Sequence, residues 1–340
     1  MEWPAVSVVM PVLDEERHLR EAVAGVLAQD YPGELELVMA LGPSSDRTDA
    51  IAAELVVEHE PRVRTVPNPS GTTPAALNAA IAAARHPVVV RVDGHAVFPA
   101  DYVRTAVEVL EETGADNVGG IMAAEGSTPF ERAVARAMTS RLGVGSAPYH
   151  TGGEAGPADS VYLGAFRRVA LDRVGGYHEG FVRAQDWEMN LRIRRSGGLV
   201  WFTPRLRVAY RPRADVRSLA RQYRDYGRWR RVVMRRHAGS VTLRYLAPPV
   251  TLVAVTAGAV AGVAGLLSGR PVLTAGLVLP AGYAALVLVG AAVTGRGLPP
   301  GVAARLAVVY PTMHDSWAVG FLTSRHRPGD GSPARPSDTL

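Results

Sequence analysis

The chain has 340 residues and 37 basic side chains, every one of them Arg, against 32 acids, for a formal net charge of +5. It contains no Cys, which excludes a disulfide framework and thiolate metal sites. The length allows one large domain or two smaller ones, and residues 1–10 carry an acid at Glu2 and no basic n-region, which argues against a secretory signal and for a cytoplasmic front.

Strands are expected at 6–12, 35–41, 62–66, 88–92 and 117–123, and helices at 15–29, 46–58, 74–84 and 99–112. Leu19, Val23 and Val26-Leu27 recur at helical spacing, and Tyr31-Pro32-Gly33 breaks that helix. Thr72 or Thr73 is available as N-cap of the third helix. The alternation predicts an α/β fold with a doubly wound, mostly parallel sheet over residues 1–204. Residues 146–158, rich in Gly and Pro, are expected to form a mobile loop, and a further helix is expected at 186–195.

Charge and hydropathy then change abruptly. Residues 205–244 hold 13 Arg against Asp215 and Asp225. Such a block could bind nucleic acid, but it stands directly before an apolar stretch, where the positive-inside rule and anionic lipids account for it. Residues 205–245 are therefore assigned to Arg-rich juxtamembrane helices, with anionic membrane lipids and not nucleic acid as their partner. No charge interrupts 246–269 or 271–295, and each stretch exceeds the roughly 20 residues that span a bilayer core. Arg305, His314 and Asp315 make a full span costly in 302–322, so a re-entrant or interfacial helix is expected there, followed by a disordered tail over 323–340.

Four motifs carry the chemistry. Met10-Pro11-Val12-Leu13-Asp14-Glu15-Glu16 closes the first strand, where its amides and acids could hold a base and ribose. Gly42-Pro43-Ser44-Ser45-Asp46-Arg47-Thr48 follows the second strand and could bring hydroxyls and an acid to a nucleotide, or serve as a capping turn. Asp93-Gly94-His95 ends the strand that carries Arg91. Residues i and i+2 of extended backbone face the same side, so Asp93 and His95 could share a divalent metal and a diphosphate. Gln185-Asp186-Trp187-Glu188 opens a helix, where the dipole favours ionised acids.

In their order and spacing these motifs resemble family 2 glycosyltransferases, the inverting GT-A class, and in particular membrane-anchored bacterial exopolysaccharide enzymes of the succinoglycan-glucosyltransferase type. The resemblance covers about residues 5–229. It implies Pro11, Val12 and Glu15 at the nucleoside; Asp14, Ser44, Asp46, Arg91 and Asp93, in or beside the same motifs, are candidates for the nucleotide side. It implies Asp93 with His95 at Mn2+ or Mg2+, and Asp186 as catalytic base. Trp187, Glu188, Gln222, Tyr226, Arg228 and Trp229 could serve the acceptor or diphosphate side, Tyr226 and Trp229 standing at helical spacing from Gln222; Trp187 could equally be a core aromatic, Glu188 a first-turn helix acid and the Gln222 face part of an amphipathic helix on the membrane. The implied activity is hexose transfer from a nucleotide sugar, UDP-linked first, to a lipid-linked or polysaccharide acceptor at the plasma membrane. A catalytically inactive scaffold is the alternative. Two departures bear on it: Leu41-Gly42 stands where the family usually has an Asp at the uracil edge, and His95 stands where a second Asp is usual.

Overall fold

The computed structural model describes residues 2–240 and 242–325. They form two compact units: residues 2–123 with 148–210, and residues 124–147 with 211–325. In chain order the elements are β1 (Val6–Val12), α1 (Leu19–Leu27), β2 (Leu35–Leu41), α2 (Thr48–His59), β3 (Val63–Pro67), α3 (Thr73–Ala83), β4 (Val88–Arg91), α4 (Tyr102–Thr113), β5 (Asn117–Ala124), α5 (Pro129–Met138), α6 (Arg141–Val144), α7 (Pro148–Thr151), β6 (Gly156–Pro157), β7 (Tyr162–Arg167), α8 (Arg168–Val174), α9 (Gln185–Arg195), β8 (Val200–Tyr210), α10 (Val216–Arg236), α11 (Leu243–Ser268), α12 (Pro271–Thr274), α13 (Val278–Thr294) and α14 (Pro300–Thr323).

The first unit is built on a sheet of strand order β3-β2-β1-β4-β7-β5-β8-β6. β3, β2, β1 and β4 run parallel, whereas β7 pairs antiparallel with both β4 and β5. Unbroken Val, Leu and Met runs suit the parallel strands because both faces are covered. Val6, Val8, Met10 and Val12 point to the face shared with α1, α2 and α4. Val9, Val38, Ala40 and Val89 point to the opposite face, against Ala76, Leu77 and Ala80 of α3 and Met189 and Ile193 of α9.

Several sequence expectations shift here. The first helix starts at Leu19 and not at residue 15. The Glu15 amide donates to Thr48 Oγ1 (2.7 Å) and the Glu16 amide to Asp46 Oδ2 (3.1 Å), so that stretch is held to its neighbouring loop before the helix can begin. The stretch 146–158 carries α7 and the short strand β6, which pairs with β8. The boundary expected at 204/205 falls inside β8. Arg205 on that strand pairs with Glu108 and with Glu112 (3.1 Å), so the start of the basic block belongs to the sheet.

The second unit is helical. Leu219, Tyr223 and Gly227 form the buried stripe of α10, with Trp229, Val232 and Val233. α14 is one unbroken helix with Val302, Leu306, Val309, Tyr310 and Met313 buried. The two helices approach at glycines: a Cβ added at Gly227 would lie 1.9 Å from the Trp317 carbonyl oxygen, and one at Gly320 would lie 1.9 Å from that of Arg224. Backbone cannot yield there as a side chain can, so Gly320→Ala is expected to cost about 1–3 kcal/mol and to lower the thermal midpoint of the detergent-solubilised protein. His314, one of the polar residues expected to obstruct a span, is satisfied: Tyr283 Oη lies 3.1 Å from Nδ1 and the Leu142 carbonyl 2.7 Å from Nε2.

Two stretches, Leu243–Ser268 and Pro271–Thr294, are long and apolar enough to cross a membrane, and few of their residues are buried. They meet through small residues, since a Cβ at Gly258 would lie 2.6 Å from the Gly276 carbonyl oxygen. Of the tail expected at 323–340, Thr323 ends α14, and residues 326–340 lie outside the described residues.

Glu131 anchors the start of α5. Its Oε2 accepts from Ser127 Oγ (2.6 Å), the Ser127 amide (2.8 Å) and the Thr128 amide (3.1 Å), and Arg211 stands 3.3 Å from Oε1. The Ser127 hydroxyl above all, then the Thr128 amide, lowers its carboxyl from the ordinary 4.5 to about 2. A depressed folded-state value stabilises the fold above the unfolded value and loses that contribution as pH falls from about 4.5 to 2. Glu131→Gln is therefore expected to cost of order 2 kcal/mol at pH 7 and little at pH 2, read from denaturant unfolding at both pH values.

Candidate active site

β1 lies between β2 and β4, and all three are parallel, so their C-terminal ends share one sheet edge. Ligands of open α/β sheets bind at this edge. The loop after β1 and the loop after β2 lock to each other. Asp14, in left-handed backbone (φ 54°), accepts at Oδ1 from the Ser45 amide (2.6 Å), and its own amide donates to Ser44 Oγ (3.1 Å). The Arg47 amide donates to Glu16 Oε2 (3.2 Å). Burial would raise the Asp46 carboxyl, but donors from Thr48 and the Glu16 amide outweigh it and hold it below the usual range. The fold thus gathers Pro11, Val12, Asp14, Glu15, Ser44 and Asp46 on this edge. Asp14 Oδ2 and Glu15 Oε2 are buried there without a hydrogen-bond partner among the described residues.

β4 ends at Arg91, and the Ala96 amide donates to the Asp93 carbonyl (2.9 Å), so Asp93-Gly94-His95 is a turn. The same-side argument for Asp93 and His95 needed extended backbone and does not hold. Asp93 Oδ1 instead accepts from Arg91 Nε (3.1 Å), and His95 Nδ1 stands 2.7 Å from Glu15 Oε1. Arg91, expected at the nucleotide, is 5 % exposed, and its guanidinium also pairs with Asp186 Oδ1. It bridges two carboxylates that are 93 residues apart in the chain.

Asp186 stands in the first turn of α9. Burial pushes its carboxyl above the ordinary range, the Arg91 cation opposes the rise, and the Asp93 charge adds to it. With 31 % of the side chain still accessible, solvent tempers the effect. The buried Tyr177 ring lies beside Asp186 and Arg91, and burial, then the Asp186 charge, keeps its hydroxyl protonated. Tyr177 is placed by Asn78 of α3: Asn78 Oδ1 accepts from the Tyr177 amide (2.7 Å) and Nδ2 donates to the Tyr177 carbonyl (2.8 Å). The Gly175-Gly176 pair, both at positive φ, forms the turn that leads into Tyr177. Asn78 is an unremarkable helix residue in the sequence, and no signal marked it.

The remaining candidates are placed by their own elements. Glu188 is fully buried and its carboxylate is held by both Arg192 Nε (2.8 Å) and Nη2 (2.8 Å), an ion pair that locks α9, so it is not free for acceptor. Trp187 is 6 % exposed, within the first unit's interior. Gln222, Tyr226, Arg228 and Trp229 lie on α10 in the second unit. They do not share one buried face, because Tyr226 is 40 % exposed while Trp229 is buried.

Among the described residues no group of three or more His, Asp or Glu side chains could enclose a metal ion. Asp93 offers a carboxylate that Arg91 contacts through Oδ1. A hard divalent cation is commonly held by one or two carboxylates together with phosphate oxygens and water. Asp93 therefore fits an ion that arrives with a diphosphate and not one caged by protein.

Ala184, directly before Gln185, holds left-handed backbone (φ 58°). That conformation costs a residue with a Cβ roughly 1–2 kcal/mol. Ala184→Gly is expected to raise stability by under about 1 kcal/mol after Gly's larger unfolded-state entropy, with a small rise in thermal midpoint.

Comparison with known proteins identifies the family and the fold. The family Glycosyl transferase family 2 matches residues 7–175. The succinoglycan biosynthesis protein ExoA of Rhizobium meliloti is 31 % identical over 319 residues, covering 92 % of this chain and 93 % of that protein. A dolichyl N-acetyl-alpha-D-glucosaminyl phosphate 3-beta-D-2,3-diacetamido-2,3-dideoxy-beta-D-glucuronosyltransferase of Methanococcus voltae is 23 % identical over 239 residues, 68 % of this chain and 74 % of its own. The mannosyltransferase PcManGT from Pyrobaculum calidifontis, solved with GDP-Man and Mn2+, shares the fold with a TM-score of 0.60 at 20 % identity, over 96 % of this chain and 89 % of that one. With a sheet of the GT-A type, two carboxylates joined at its edge and a relative matched along nearly its whole length, the chain belongs to glycosyl transferase family 2 and is a glycosyltransferase.

Proposed function

We propose that the protein transfers a hexose, with inversion, from a nucleoside diphosphate sugar to a lipid-linked or polysaccharide acceptor at the cytoplasmic face of the plasma membrane. The observation that carries this reading is Asp186, a partly accessible carboxylate at the head of α9, held beside Asp93 at the sheet edge. Asp186 accepts the proton of the acceptor hydroxyl as that oxygen attacks the anomeric carbon, and the nucleoside diphosphate leaves from the opposite face. Ionised Asp186 is the competent form, and Arg91 supports it against burial. The loops after β1 and β2 hold the nucleoside. Asp93 would hold Mn2+ or Mg2+ with the diphosphate, where the ion supplies charge neutralisation for the leaving group.

A UDP-sugar is the first donor to test. Leu41-Gly42 at the uracil edge leaves other bases open, and the GDP-Man bound to PcManGT makes GDP-sugars the second. The acceptor class follows from the relatives' names, one in succinoglycan biosynthesis and one acting on a dolichyl phosphate sugar. The apolar stretches 243–268 and 271–294 would hold the enzyme at a bilayer, and the arginines of α10 would face anionic headgroups. The test is transfer of radiolabelled sugar from UDP-, GDP- and dTDP-sugars into membrane lipid extract, with and without Mn2+. Label entering the organic phase from one donor is the expected result. No transfer from any donor would favour the inactive scaffold.

A further inference from the structure

We propose that Arg91 is a positioning residue for transfer, setting Asp186 against Asp93, and that it does not contact the nucleotide. The inference rests on the proposed roles of Asp186 and Asp93. Arg91 ends a strand in the middle of the sheet and is 5 % exposed. Its Nε and Nη2 both lie 3.1 Å from Asp93 Oδ1, and its Nη1 pairs with Asp186 Oδ1. The planar fork is thus occupied by carboxylates on both sides, and burial leaves little of it for a phosphate.

The two acids come from distant parts of the chain. Asp93 follows β4, a rigid central strand, whereas Asp186 opens a helix behind a loop with strained backbone at Ala184. α9 is anchored further along, by Arg192 Nη1 to the Val174 carbonyl (2.7 Å) and by Asn190 to Asn117 (2.6 Å) and Ser160 (3.0 Å). Those contacts fix the helix axis, but Asp186's own carboxylate is tied to the sheet through Arg91. A buried cation is also a strong substitute for water: without it, two acids would share a desolvated site with no counter-charge. Misplacing a reacting group by about 1 Å can cost roughly 100-fold in rate.

The test uses the full chain in detergent with the donor that the wild type accepts. Arg91→Met is expected to lower kcat about 100-fold while the donor KM and the calorimetric Kd for free UDP and GDP, measured without divalent cation, stay within about threefold. In an Asp186→Asn background the same change should remove little further turnover, because an arginine that acts through Asp186 has nothing left to position. A tenfold or greater rise in nucleotide Kd with kcat retained would make Arg91 a nucleotide contact. Equal fractional losses in both backgrounds would make it a general structural residue. Either result overturns the proposal, as does full activity of Arg91→Met. If Arg91→Met does not fold, Arg91→Lys carries the same measurements, since a point charge can meet one carboxylate but not fork between two; failure of both to fold would assign Arg91 to folding alone. Wild-type transfer with an unaffected variant sinks only this inference, whereas absence of wild-type transfer from any donor sinks the functional reading and this inference with it.

Discussion

Asp186→Asn is expected to lower kcat by about 10²–10⁴-fold with little change in the donor KM, the range that positioned general bases contribute. The amide keeps the shape of the carboxylate and can still meet Arg91, so the variant should fold, as a retained thermal midpoint would confirm. It cannot accept a proton. The pH profile gives the sharper reading. Burial raises the Asp186 carboxyl, with Arg91 opposing the rise, so the folded value lies above the ordinary 3.8. The base works when ionised, and activity is therefore lost as pH falls through that raised value. The acid limb of kcat/KM should stand above the range of an exposed Asp in the wild type and disappear from the residual activity of Asp186→Asn. An unchanged turnover in the variant would remove Asp186 from the chemistry.

Asp93→Ala should have an effect of comparable size but a different signature. It removes the carboxylate expected to accompany the diphosphate, and a bound ion is worth several kcal/mol to a departing anion. The expected result is a loss of about 10²–10³-fold in kcat, together with loss of Mn2+ stimulation. Chelation should inhibit the wild type and leave the residual activity of Asp93→Ala unchanged. The same substitution removes one of the two carboxylates that Arg91 pairs with among the described residues. A thermal-shift series with UDP, plus and minus Mn2+, separates the roles: the wild type should gain a metal-dependent shift that Asp93→Ala lacks, while a metal-independent shift from the nucleoside loops should persist in both. A metal-dependent shift that survives in Asp93→Ala would place the ion elsewhere.

Much of this protein was legible one residue at a time. Strands such as Val6–Val12 and Val88–Arg91 announce themselves as apolar runs, because a central parallel strand must be buried on both faces. The apolar stretches 243–268 and 271–294 do so through their length without charge. Asp93 and Asp186 stood out as candidates by their places, one behind a strand and one at a helix start, and the roles expected of them came from the family resemblance. What depends on neighbours in sequence is readable from sequence.

Only the tertiary structure decided how those residues are used. Glu15 and Glu16 had the composition of a helix start, yet their amides go to Thr48 and Asp46 at the start of α2 and in the loop before it. His95 had the spacing of a second metal ligand, but the turn after β4 brings it to Glu15. Glu188 had the look of a site acid, and one turn later Arg192 claims it inside the core. Arg91 joins acids 93 residues apart in the chain. In each case the partner is fixed by which strands lie side by side, a property of strand order and burial that no local pattern records, and a buried charge takes whichever counter-charge that order brings within reach.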